Sequence, residues 1–305
     1  MFHLKQIEGE KHITILIISS IVDPASINIK KNLLQQTKWE EIDEFNGNTT
    51  YRHIDMKNII MVTIKDRKIT HEKLEQEVEE QLGVKPKQAI FLSRHRSKTG
   101  DPTLTVHPIG NYGEALFGGK HRTLSKASPR LMTQLLRIIK KNAEQEKLYH
   151  KVSYEVTHHG PYMTIPTFFV EVGSTPDEWS NTKPANIIAK SLLELLKSYH
   201  HYEENTPKDE TVLIGIGGGH YAPRFTDIAL TKKAAFGHMI PTYQIENGNI
   251  NHEMLEKTLQ ETPDVKGVYI HKKTLKKSQV TEYKKYFEKT NTPVISSKEL
   301  PDLQR

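Results

Sequence analysis

The sequence of 305 residues contains no cysteine, which excludes disulfides, thiolate zinc sites, iron–sulfur clusters and cysteine nucleophiles. Any metal the chain binds must be held by nitrogen and oxygen. It also lacks a long hydrophobic run. The longest, at 13–22, is interrupted by Thr14, Ser19 and Ser20 and reaches about half the length needed to span a bilayer. Before it, Lys5, Glu8, Glu10 and Lys11 mix charge signs and offer neither the basic region nor the cleavage site of a signal peptide. Charge of one sign is scarce as well: 43 Lys+Arg against 37 Asp+Glu leave a net +6. These absences predict a mildly basic, soluble, cytoplasmic protein with no membrane contact.

What is present fits a large folded core. With 36% hydrophobic and 26% charged residues the composition is that of a globular protein. A chain of this length buries about 75% of its unfolded surface, in one large domain or two smaller ones. The run at 13–22 is rich in β-branched residues, as suits a strand buried on both faces. Asp23-Pro24 ends it, and Ile27, Ile29, Leu33 and Leu34 then read as the crossover helix of a βαβ unit. Further strands are expected at 59–64, 88–92, 152–157, 167–172, 211–216, 266–270 and 293–295. Helices are expected at 70–82, 129–144, 184–199, 252–259 and 279–288. Such alternation predicts an α/β sheet with helices on both faces. Two stretches depart from it: 93–126 is too long for a passive connection, and the polar 199–210 reads as a linker or surface loop.

The residue in excess is histidine, with 16 copies. Several stand where an expected strand gives way to a glycine-containing loop, the place where α/β proteins bind ligands. The clusters are SRHRS at 93–97, HPIGN at 107–111, EVTHHGP at 155–161 and GIGGGHY at 215–221, with Gly237-His238 as a fifth. Neutral imidazole binds zinc well, and catalytic zinc takes three His, Asp or Glu ligands with one position open. The loop histidines with Glu155, Glu171 and Asp227 offer one or two such sites; alternatively they cap strands and bond within turns. No HExxH is present. The glycine-rich stretch 215–219 (GIGGG) can present amides to an anion or oxyanion, or serve only as a tight turn. It lacks both a P-loop ending and the GxGxxG spacing. Arg94, Arg96, Lys98, Lys120, His121, Arg122, Lys126 and Arg130 make the long loop locally positive, either a phosphodiester contact or solvated surface.

Taken in order, SRHRS, HPIGNYGEALFGGK, YEVTHHGPY, PTFFVEVGS, IGIGGGHYAPRFTD and FGHMIPTY resemble the D-aminoacyl-tRNA deacylase family of the archaeal and plant type. The resemblance runs from SSIVDPASINIKKNLL to the last expected strand. It implies a zinc-dependent hydrolase with a phosphorylase/hydrolase-like core, a three-layer α/β/α fold around a mixed, mostly parallel sheet. Residues 1–200 would form that core with its His-rich loops and 211–305 would complete the site, or the two would make one compact domain. The implied reaction is hydrolysis of the ester between a D-amino acid and the terminal ribose of tRNA.

On this reading Zn2+, one or two per chain, is held among His95, His107, His158 and Glu171. His159 or Glu155 moves the proton. Gly217, Gly218 and Gly219 with His220 bind the aminoacyl end or the oxyanion, joined by Tyr221 and His238. Arg94, Lys120 and Arg122 meet tRNA phosphates. The expected partner is tRNA carrying a D-amino acid, and the expected state a monomer. A zinc exopeptidase on a similar core, a tRNA-binding protein with structural histidines and a nucleoside phosphorylase remain competing readings.

Overall fold

The β-branched run forms strand β1 (Ile15–Ser20), buried at every position, in the computed structural model of the chain, which describes residues 14–200 and 209–303. Helix α1 (Pro24–Gln36) follows at once. Asp23 caps it by accepting from Ser26 N–H at 2.9 Å, with proline in the first turn. The chain continues through β2 (Trp39–Phe45), β3 (Asn48–His53), β4 (Ile59–Ile64), α2 (Leu74–Leu82), β5 (Gln88–Arg94) and β6 (Thr103–Pro108). Next come β7 (Gly110–Asn111), β8 (Thr123–Leu124), α3 (Pro129–Gln145), β9 (Lys151–Tyr154), β10 (Thr167–Gly173), α4 (Pro176–Ser180) and α5 (Thr182–His200). The last part holds β11 (Thr211–Ile216), α6 (Pro223–Thr231), β12 (Ala234–Ile240), α7 (Thr242–Glu246), α8 (His252–Gln260), β13 (Gly267–Ile270) and α9 (Lys277–Lys289).

Among the described residues eight strands make the main sheet, in the order β2-β3-β4-β1-β5-β10-β6-β9. Its centre is parallel, β4 and β5 flanking β1 and β10 beside β5, and β9 runs parallel to β6. Antiparallel pairing joins β2 to β3, β3 to β4 and β10 to β6. Alternate residues of the central strands serve two cores, as a strand covered on both sides must. Ile17, Ile90, Leu92 and Val170 pack beneath α1, α3 and α5, whereas Leu16, Ile18, Phe91 and Phe169 pack beneath α2 and Met163. The result is the expected α/β/α layering around a mixed, mostly parallel sheet. Strands β12, β11 and β13 form a second, all-parallel sheet. Among the described residues no helix is long and apolar enough to cross a membrane.

Several expected elements differ. The helix expected from Thr70 starts at Leu74, because 68–70 is a single 3-10 turn and Lys73 takes a left-handed conformation (φ 61°). The strand expected at 152–157 ends at Tyr154, where the backbone turns into the histidine cluster. Pro293–Ile295 is no strand: it adds one bridge, Val268 to Val294, since proline offers no amide to a ladder. Sequence reading missed the β2–β3 hairpin, although Asn46-Gly47 at its turn (φ 51° and 67°) is a strong hairpin signal. It also missed β6, β12 and α6. Of the segment expected as a linker, 201–208 lie outside the described residues.

Candidate metal centre and active site

Five histidines and two glutamates converge on one face of the main sheet, just past the stacked rings of Phe91 and Phe169. Strand geometry delivers most of them. Glu171 on β10 is paired with Ser93 on β5, and His95 follows two residues later, its N–H donating to Val172 O at 2.9 Å. His107 on β6 lies opposite Phe169, on the same face as Glu171. Glu155 N–H extends the β6–β9 ladder by donating to Val106 O, and His158 bridges Ile109. His220 comes from the loop after β11, fastened where Val156 N–H donates to His220 O at 2.9 Å.

The imidazoles are oriented as ligands. In His107, His158 and His159, Nδ1 faces a main-chain carbonyl, of Pro108 (3.1 Å), Val156 (2.7 Å) and Gly160 (2.6 Å) respectively. A carbonyl only accepts, so each Nδ1 carries a hydrogen and each Nε2 is not committed to the main chain. This is the outer-shell pattern that fixes metal-binding histidines. Those three residues form one group whose ligand atoms lie within 4.8 Å of one another; His95, Glu155 and His220 form a second, and His107, Glu155 and Glu171 a third. His159 holds its place in left-handed backbone (φ 45°), the kind of strain that accumulates at functional sites.

The carboxylates sit between these groups. His95 Nδ1 is 3.0 Å from Glu155 Oε1 and 3.4 Å from Glu171 Oε2. His220 Nε2 is 2.9 Å and His158 Nε2 3.5 Å from Glu155 Oε2, and His107 Nε2 is 3.7 Å from Glu171 Oε1. Close as they are, both Glu155 oxygens and His107 Nε2 are buried without a hydrogen bond of proper geometry. Buried polar atoms are rarely left so. Nitrogen and oxygen donors aimed at shared points, with no sulfur, fit a divalent cation such as zinc.

Charge follows the same geometry. Burial opposes protonation of His95, but the two carboxylates outweigh it and push its pKa up to about 11. His107 is raised in the same way, against its own burial, chiefly by Glu171. Burial and then the like charge of His107 hold His158 well below its usual value and bring His159 down to about 4. Glu155 and Glu171 are buried, which favours the neutral acid, yet the neighbouring histidines keep both well below the ordinary carboxylate range.

A cavity of about 430 Å3 opens over this cluster, reaching Glu171, His95, His158, His159 and His220. Its wall includes residues that sequence reasoning did not connect with the site: Asp23, Arg67 and Lys68. Lys68 Nζ, 4% exposed, pairs with Asp23 Oδ2 at 2.5 Å, and Arg94 N–H donates to the same oxygen at 3.0 Å. One carboxylate thus caps α1, neutralises a buried lysine and ties β5 to the loop after β1. The only sequence signal was Asp23 at the end of a buried strand.

The remaining expected site residues are dispersed. Arg94 lines the cavity, with its guanidinium 5.0 Å from the Trp179 ring. Tyr221 OH meets His95 Nε2 at 3.0 Å, outside the cluster. Lys120 lies over the Tyr162 ring, and Arg122 is spent on Asn249 O and Asn251 Oδ1. The glycine loop also departs from expectation: Gly217 N–H donates to Ile240 O, and Gly218 N–H to the hydroxyls of Thr242 and Thr274. Those two amides serve a turn with positive φ (96° and 93°), so neither is a donor for an oxyanion. His238 is wholly buried between Thr157 and Ser125. Asp227 pairs with Arg224.

An open cavity over histidine and carboxylate donors, at strand ends of a mixed α/β sheet, has the make-up of a hydrolytic site. Residues 82–295 match the family model for D-aminoacyl-tRNA deacylase. The chain belongs to the D-aminoacyl-tRNA deacylase family. It is 40% identical over 230 residues to the D-aminoacyl-tRNA deacylase of Pyrococcus abyssi, covering 75% of this chain and 80% of that one. To that of Methanosarcina mazei it is 34% identical over 298 residues, covering 96% and 95%. The solved structure of a conserved protein of unknown function superposes with a TM-score of 0.83 at 30% identity, over 95% of this chain and 97% of that one.

Proposed function

We propose that the chain hydrolyses the ester of D-aminoacyl-tRNA at the histidine–glutamate cluster, releasing tRNA and a D-amino acid, with zinc held in two adjacent positions. The observation that carries the reading is the set of three imidazoles whose Nδ1 atoms are committed to carbonyls and whose Nε2 atoms turn inward, beside orphaned Glu155 oxygens, under an open cavity. His107, His158 and His159 would hold one ion, and His95, Glu155 and His220 the other. This revises the roles expected for His159, Glu155 and His220, because their donor atoms group with those of expected ligands, and it moves Glu171 from the expected ligands to the proton step, since the other two members of its group, His107 and Glu155, are taken by the two ion positions. Zinc bound there would supply Lewis-acid polarisation of an ester carbonyl.

The other roles fall to the protein. Glu171, ionised and facing both His95 and His107, takes the proton of the attacking water and returns it to the leaving ribose oxygen. Tyr221 positions His95 through its Nε2. Asp23 and Lys68 hold the wall that carries Arg94. Residues 211–305 act as the part that completes the site, since His220 enters from there. The site is complete within one chain, which supports action as a monomer, in the cytoplasm where aminoacyl-tRNA is used.

Metal analysis of the purified protein tests the reading beside an activity assay. About two zinc ions per chain, with chelator-sensitive cleavage of D-Tyr-tRNA and no cleavage of peptides, supports it. Cleavage of peptides but not of the tRNA ester would instead favour the exopeptidase reading, and tRNA binding without hydrolysis the non-catalytic one.

A further inference from the structure

Phe117, on the loop that follows β7, is 63% exposed at the edge of the cavity over the cluster. Its exposure is not that of a loose tip. Gly160 N–H donates to Phe117 O at 3.2 Å, Asn111 Nδ2 to Gly118 O at 2.8 Å, and Gly119 N–H to Glu72 Oε1 at 2.8 Å. The next residue is closed in as well: a Cβ on Gly118 would lie 1.6 Å from Ile69 O. Across the seam a Cβ on Gly160 would lie 2.2 Å from Gly119 N. The backbone is therefore fixed on both sides of an aromatic ring that folding leaves in water. An aromatic ring held in water at the wall of a cavity is available to stack on a planar ligand.

The same mouth carries positive charge. Arg67 and Arg96 line it, are exposed, and form no ion pair among the described residues. A planar ring beside free guanidinium groups is the chemistry that receives a nucleotide, with the base on the ring and phosphate on the arginines. An aminoacyl ester places one such nucleotide next to the scissile bond. Resting on the deacylase reading above, we propose that Phe117 is the stacking platform for the terminal base of the tRNA, with Arg67 and Arg96 taking the adjoining phosphates. The competing occupant of the ring is the side chain of the amino acid.

Two measurements on Phe117→Ala, Phe117→Trp and Leu116→Ala separate these. Leu116 is 74% exposed on the same loop but does not line the cavity. The first measurement is binding of the trinucleotide CCA with 2-aminopurine as its last base, read by fluorescence quenching, with no catalysis involved. The second compares kcat/KM on D-Tyr-tRNA and on D-tyrosine ethyl ester, which has no base. Phe117→Ala is expected to weaken trinucleotide binding about 10- to 100-fold and remove the quenching. It should also cost far more on D-Tyr-tRNA than on the ethyl ester, through KM. Phe117→Trp should restore both, and Leu116→Ala should match the unmodified protein. Unchanged quenching in Phe117→Ala, or an equal loss on both substrates, overturns the proposal. Loss of quenching in a protein that never cleaves D-Tyr-tRNA would keep the base platform and overturn the deacylase reading.

Discussion

Acid sensitivity of the scaffold can be worked out from one buried imidazole, His238 on β12. Its Nε2 lies 2.9 Å from Ser125 O, an acceptor, so Nε2 carries the hydrogen. Its Nδ1, 3.1 Å from Thr157 Oγ1, then accepts from the hydroxyl, while Met239 N–H donates to the same oxygen. This chain bolts the segment leading into His158 against β12. A second proton would put a charge in a place with no carboxylate. Burial accordingly lowers the His238 pKa to about 4, against carbonyls that favour the charged form. In the unfolded chain the same group titrates near 6.5, so the unfolded state takes up the proton first. The stability due to neutral His238 is whole above about pH 6.5 and is lost as the pH falls toward 4, a loss of about 3 kcal/mol. Urea unfolding at several pH values, for the unmodified protein and His238→Gln, measures it. The variant keeps a donor for Ser125 O, should lose about 1 kcal/mol at neutral pH, and should show a shallower acid decline. Parallel declines in the two proteins would refute the reasoning.

Lys68→Met strands the buried Asp23 carboxylate and should destabilise the fold by about 3–5 kcal/mol; denaturant unfolding measures it, and a loss under about 1 kcal/mol would mean the pair is solvated. Tyr221→Phe removes the partner of His95 Nε2 and should weaken zinc binding about 10-fold, read by competition with a chromophoric chelator; unchanged affinity would separate Tyr221 from the centre. His107→Ala should lower the zinc content of the purified protein, and full occupancy in that variant would remove His107 from the ligand set.

The sequence made most of the parallel core legible because buried strands carry unbroken β-branched runs, as in Ile15–Ser20 and Ile59–Ile64. The histidine clusters were legible as strand-end motifs, and the fold does unite those at 95, 107, 158, 159 and 220. What failed did so for physical reasons. Strand β2 at the sheet edge and β3 beside it are half-solvated and carry few apolar residues, so their period was weak. His238 stands beside a glycine like the others, but sequence does not reveal that both faces of β12 are buried. Gly217 and Gly218 read as free donors because partners from distant threonines are invisible in one dimension. The Asp23–Lys68 pair spans 45 residues and meets only because β1 and β4 are neighbours. Which histidines pair with which carboxylate is likewise set by sheet order and not by spacing.

The most direct test is release of labelled D-tyrosine from D-Tyr-tRNA, run beside L-Tyr-tRNA, before and after metal removal and with zinc restored. The account predicts rapid hydrolysis of the D-ester alone, abolished by the chelator and recovered with zinc. Equal hydrolysis of both esters, or hydrolysis indifferent to chelation, would contradict it.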